Sequence, residues 1–197
     1  MSKQTDERTE TLKDGSRVLI RPIRRDDVER NAAFLDLLSP PSKHFLFLGG
    51  IARLSDEALV RLCDPDDAHS MAYVALALDG RDGDGRRQVA VCRYAGANPD
   101  QGAEISVAVA DDWQRRGLGN RLLASLIDYA RAHGVTRLYS MDSLANQRMR
   151  KLARDLGFSE RPDPGDSSQV ICSLDLGAAV ESEAARPGDG RHSGKRA

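Results

Sequence analysis

The stretch Trp113–Leu123, "WQRRGLGNRLL", decides how the rest of the chain is read. It opens an otherwise regular amphipathic helix, predicted over 114–133. Leu118, Leu122, Leu123, Leu126, Ile127 and Ala130 form one apolar stripe along it, and Gly134 supplies the stop. Two glycines, Gly117 and Gly119, stand where that helix should nucleate, although each costs roughly 1 kcal/mol against alanine. A helix start exposes unpaired N–H groups and a partial positive charge, and glycine lets a ligand approach the backbone. With Arg115 and Arg116 alongside, these residues point to an anion of pyrophosphate size above residues 115–120.

Two common phosphate loops are excluded. A P-loop places Lys and Ser/Thr after its second glycine, whereas Gly119 is followed by Asn120 and Arg121. A dinucleotide fingerprint would put Leu122 at its third glycine, and its strand would lie mid-chain. What remains is Q-x-x-G-x-G, from Gln114 to Gly119.

Working outward, β-branched or apolar runs predict strands at 16–23, 70–78, 88–96, 103–111, 136–142 and 169–176. "DGRDGDGRR" (79–87) reads as a hairpin turn. A helix begins at Asp26 and Asp27, buries Val28, Phe34, Leu35 and Leu38, and stops before "SPPS". A second covers 54–64 with Ser55 at its start, and the last spans 147–156, closed by Gly157. The order β-α-α-β-β-β-α-β-α-(β)-β describes an α/β chain of the mixed α+β kind. Its sheet is mostly antiparallel, six- to seven-stranded, with helices on both faces.

The 197 residues suit one domain, 13–176, between tails at 1–12 and 177–197 that are polar enough to be disordered. Net charge is -1, which argues against a nucleic-acid binder. The polar start is no signal peptide, and the apolar run "AYVALAL" is too short for a bilayer, so a cytoplasmic protein without membrane partners is expected. Cys63, Cys92 and Cys172 form no C-x-x-C pair, and the four histidines lack metal spacing; no metal is expected.

The loop, the strand "ISVAVADDWQ" ahead of it and "N-x-x-M-x-x-L-A-x-x-L-G-F" (Asn146–Phe158) together resemble the GNAT superfamily of acyl-CoA N-acyltransferases over about residues 16–176. "DGSRVLIRPIRRDD", "LSDEALVRLCD" and "AEISVAVADDWQRRGLG" are similar to the GNAT domain of bacterial protein-lysine acetyltransferases. The resemblance implies a GNAT fold and acetyl-CoA as cosubstrate. Its pantetheine arm would lie along the backbone of Val107, Ala108 and Val109, where a bulge would splay the strand from its neighbour. Its pyrophosphate would lie over Gln114, Arg115, Arg116, Gly117, Leu118, Gly119 and Asn120. It places a general base at Glu104, and it shows Ala153 where many such enzymes carry a tyrosine acid, so no acid is assigned.

Several alternatives stand at this point. Glu104 sits on a strand face with Ser106 and Ala108, half-buried by expectation; it is either the base or a surface acid paired with Arg93. Asn146 either caps the following helix or meets the pantetheine, or both. Phe45 and Phe47 either pack or line an acceptor cleft. The acceptor is a protein lysine in the leading reading and a small amine in the second. A non-catalytic acyl-CoA-binding module is the third. Oligomeric state is open.

Overall fold

The computed structural model describes residues 7–47, 54–66, 69–78, 86–98 and 101–177, with Phe47 as backbone only. Eight strands form one sheet: β1 (Arg8–Thr11), β2 (Arg17–Pro22), β3 (Met71–Ala77), β4 (Gln88–Asn98), β5 (Gly102–Val109), β6 (Arg137–Ser143), β7 (Ser159–Pro162) and β8 (Gln169–Asp175). Their order is β1-β2-β3-β4-β5-β6-β8-β7. Every neighbouring pair is antiparallel except β5 and β6. The helices are α1 (Val28–Leu37), α2 (Pro40–Phe47), α3 (Asp56–Leu62), α4 (Leu118–Ala132) and α5 (Gln147–Asp155).

The core follows the periodicities. β3 is buried at every position, as its unbroken apolar run requires. The stripe of α4 is buried at Leu118, Leu122, Leu123, Leu126, Ile127 and Ala130, and Gly134 ends the helix at φ 76°. Ser55 caps α3 by accepting from the Ala58 amide at 3.2 Å. The acidic pair ahead of α1 has a more specific task. Asp27, fully buried, receives both guanidinium nitrogens of Arg21 at 2.7 Å and the Arg24 amide at 2.9 Å. These bonds pin the entry of α1 to β2.

Four expectations need correction. Residues 8–11 are a strand, with Arg8 opposite Ile20 and Thr11 opposite Arg17, so residues 1–12 are not wholly a tail. An edge strand held by backbone pairing needs few large apolar groups. β1 is further tied to α4 by Glu10–Arg121 and by Arg8 to Ser125. The proline pair after α1 starts α2 rather than a loop: Pro40 tolerates a first helical turn, where its missing N–H has no role. β1 and β7 bring the sheet to eight strands rather than six or seven. Finally, α4 begins at Leu118 and not at 114, because Arg115 and Gly117 take positive φ, 64° and 85°. The tail beyond Gly177, the hairpin turn at 79–85 and the Phe47 side chain lie outside the described residues.

Candidate active site

β5 and β6 pair only at Ala103↔Leu138 and Glu104↔Tyr139. Beyond this fork they part, while β5 stays paired to β4 as far as Val109. Alternate backbone groups of residues 105–109 therefore face a gap instead of a strand. The approach at the fork is close: a Cβ on Gly102 would lie 2.4 Å from the Arg137 carbonyl oxygen. The gap opens into a cleft of about 1190 Å³, walled by β5, β6, α2, the turn before α4 and the start of α5. Each site residue expected from the sequence lines this cleft: Glu104, Val107, Ala108, Val109, Gln114 through Asn120, and Asn146.

The expected bulge at Val107–Val109 is absent. The register with β4 runs unbroken from Ala90↔Val109 to Ala95↔Glu104, and the irregularity falls between Ala95 and Asn98. Gly96 and Gly102 absorb it with φ of 69° and 84°. The strands part because β6 leaves, not because β5 kinks.

At one end of the cleft the turn into α4 has the properties of an anion site. Left-handed residues in such a turn bring successive amides toward one point, and Arg115 bears a positive φ despite its side chain. The Arg121 amide makes a helical bond to the Gly117 carbonyl at 3.3 Å, which leaves the amides of Leu118, Gly119 and Asn120 without helical partners. No acidic side chain sits in that first turn to satisfy them. The two arginines divide their work. Arg116 is spent on the protein, reaching Asp14 at 2.8 Å and the Asp112 carbonyl at 2.6 Å, and lying 4.6 Å from the centre of the Trp113 ring. Arg115 is exposed. Lys13, which sequence reasoning passed over at the edge of a supposed tail, lines the same end.

Gln114 turns out to be a clamp. Its Nε2 donates to the Val109 carbonyl at 3.1 Å, and its Oε1 accepts from Arg148, so it joins the end of β5 to α5 across the cleft. Asp111 does the same for α2, accepting from the Ser39 amide at 2.9 Å and the Ser42 hydroxyl at 2.8 Å. Burial would raise the Asp111 pKa, but these bonds outweigh it and hold it low. Neither serine carries a recognisable pattern in the sequence.

Glu104 sits at the fork. It is exposed rather than half-buried, because the face it shares with Ser106 and Ala108 is covered only further along β5. It makes no ion pair among the described residues. Arg93, its supposed partner, is opposite Ser106 and donates to the Leu62 carbonyl at 3.3 Å. Asn146 accepts from the Met149 amide at 3.2 Å as the cap of α5, and its Nδ2 reaches Asp142 at 3.4 Å. Phe45 is half-buried and lines the cleft beside α2. All three thiols are buried; burial raises Cys63 and Cys172 to about 11 and raises Cys92 further, so none is a ready nucleophile. Among the described residues no His, Cys, Asp or Glu group could hold a metal ion, and no helix is long and apolar enough to cross a membrane.

A sheet split between two parallel strands, with a turn of amides free of helical partners at one end of the split, is a site suited to a long anionic ligand. Residues 32–158 match the acetyltransferase (GNAT) family. The chain is 46% identical over 171 residues to acetyltransferase PA5475 of Pseudomonas aeruginosa, covering 87% of this chain and 90% of that one. It is 34% identical to the mycothiol acetyltransferase of Thermobifida fusca over 99 residues, half of this chain and 29% of the relative. Among solved structures, the GNAT domain of S. lividans PAT superposes with a TM-score of 0.74 at 28% identity, over 86% of this chain and 96% of that one. The chain belongs to the GNAT family and is an acetyl-CoA-dependent N-acetyltransferase.

Proposed function

We propose that the enzyme acetylates lysine ε-amines of proteins by direct attack on acetyl-CoA in a ternary complex, with Glu104 as general base. The carboxylate of Glu104, exposed at the fork and unpaired among the described residues, carries this reading. A lysine amine titrates at about 10, so it arrives protonated and must lose a proton before it can attack. Glu104 is open to an incoming ammonium and to the water that removes the proton afterwards. The pantetheine would pair with the free edge of residues 105–109, and the pyrophosphate would meet the amides of residues 118–120. That arrangement brings the thioester toward the fork. The high-pKa thiols favour direct transfer over an acyl-cysteine route. Exposed Met141 on the cleft wall and exposed Leu144 beyond it suit an open, partly apolar surface for a polypeptide.

The test is acetyl-lysine mass spectrometry of a deacetylated lysate incubated with acetyl-CoA and either native protein or Glu104→Gln. New sites made by the native protein alone support the reading. Equal sites from both proteins remove Glu104 from the mechanism. No new sites shift the acceptor to a small amine, a reading that the similarity to a mycothiol acetyltransferase favours. Acetyl-CoA binding with no turnover on any amine would leave only a binding module.

A further inference from the structure

Ala153, fully buried in the core, carries only a methyl group, so the position where the resemblance would place a tyrosine supplies no proton to the departing thiolate. The other titratable groups of the cleft sort by what holds them. Asp155 is paired with Lys151 at 2.8 Å, Arg116 with Asp14, Arg121 with Glu10, and Asp111 is kept ionised by Ser39 and Ser42. Asp142 differs from all of these. It lies on the β6 arm of the fork, is 6% exposed, and makes no ion pair among the described residues. Two neutral groups bond to its carboxyl oxygens: the Ser140 hydroxyl at 2.7 Å and the Asn146 carboxamide at 3.4 Å. Ser140 is itself 3% exposed and also lines the cleft. A buried carboxyl with only neutral partners favours its protonated form. Burial raises the Asp142 pKa, against the bonds from Ser140 and Asn146, and the charges of Glu160 and Glu104 add to the rise. Around the pair stand Glu104 on β5, Glu160 on β7, Cys172 on β8 opposite Ser140, and Arg150 on α5, whose guanidinium is taken by Glu160 at 2.9 Å.

We propose that Ser140 and Asp142 together are the proton source for the leaving thiolate. This rests on the reading that the acetyl thioester lies in this fork. The neutral amine forms a bond to the thioester carbonyl carbon, and collapse of the tetrahedral adduct breaks the carbon–sulfur bond, its electron pair passing to sulfur. Sulfur takes the Ser140 hydroxyl proton while Asp142 passes its carboxyl proton to Ser140 Oγ. Asp142 is left as a carboxylate accepting from Ser140 and Asn146, and solvent reprotonates it once the thiol leaves. The surplus proton on nitrogen leaves through Glu104 to water and balances the one Asp142 draws from solvent, so the only net proton released is the one an ammonium substrate sheds before attack.

The experiment uses the full chain, acetyl-CoA and hydroxylamine, an amine that is neutral near physiological pH and loses no proton before it attacks. Thiol release is followed across pH. The expected result is that Asp142→Asn loses about tenfold or more together with the basic limb of the pH–rate profile. Ser140→Ala moves the same way, and the KM for acetyl-CoA stays within about twofold in both. A native-like rate and profile in Asp142→Asn overturns the proposal. So does a slower rate with the basic limb intact, which marks a structural role. A native protein that binds acetyl-CoA yet releases no thiol with hydroxylamine overturns the placement of the thioester in the fork, and the acid assignment with it.

Discussion

Replacing Gly119 with alanine separates what the fold needs from what the ligand needs. Gly119 has no positive φ, and a methyl added there would lie 3.5 Å from Leu152 Cδ2 and 3.8 Å from Val109 Cγ2, ordinary contacts that fill space without a clash. The fold therefore gains: alanine in a helix is favoured over glycine by about 0.5–1 kcal/mol. At about 2–4 °C per kcal/mol for a chain of this size, the unliganded melting temperature should rise by about 1–4 °C. The same methyl takes room between two residues that line the cleft, beside the amides proposed to meet the pyrophosphate. If acetyl-CoA binding weakens about tenfold, the cost is about 1.4 kcal/mol. Acetyl-CoA at about a hundred times its native Kd stabilises the native protein by about 2.7 kcal/mol, and the variant would keep about half of that. Thermal unfolding with and without acetyl-CoA reads both effects. A variant more stable alone and less stabilised by ligand supports the assignment. An undiminished ligand shift refutes the idea that this turn is kept bare for phosphate.

Gly117→Ala should behave oppositely when unliganded. Its φ is 85° and nothing lies within 4 Å of an added methyl, so strain of about 1–2 kcal/mol is the whole effect. Gly102→Ala combines a φ of 84° with a Cβ 2.4 Å from the Arg137 carbonyl oxygen. Strain and overpacking together cost about 2–5 kcal/mol, and calorimetry should show the loss with reduced turnover as the fork is pushed open. Asp27→Asn unpairs buried Arg21 and should cost about 3–5 kcal/mol in chemical denaturation. Burial would raise the Asp27 pKa, but the Arg21 bonds, the Arg24 amide and the charge of Arg30 hold it below 3.8. Its stabilisation is thus present above the unfolded value and lost as pH falls through the folded one, so native protein and Asp27→Asn should converge in stability in acid. Persistent separation in acid would assign the effect to packing instead.

The strands and helices were legible because period-2 and period-3.6 runs report which faces are buried, and α4, with six buried positions on one stripe, is the clearest case. The glycine turn was legible for the same local reason: two poor helix residues at a helix start have a cost that something must offset. β1 and α2 were not, since one is held by backbone pairing with few apolar groups and the other is a short helix that begins at two prolines.

Sequence by itself determined the glycine turn ahead of the long helix, the carboxylate at 104 and the absence of a hydroxyl at 153, because each is a local fact about residue type and spacing. Only the tertiary structure decided what those groups face. Parting of β5 from β6 after two residue pairs makes a cleft that no single segment encodes. It leaves Glu104 in solvent, commits Arg116 to Asp14, and encloses Asp142 with Ser140 and Asn146. Burial and charge balance are sums over neighbours brought together from distant parts of the chain, and those sums are set when the sheet closes around them.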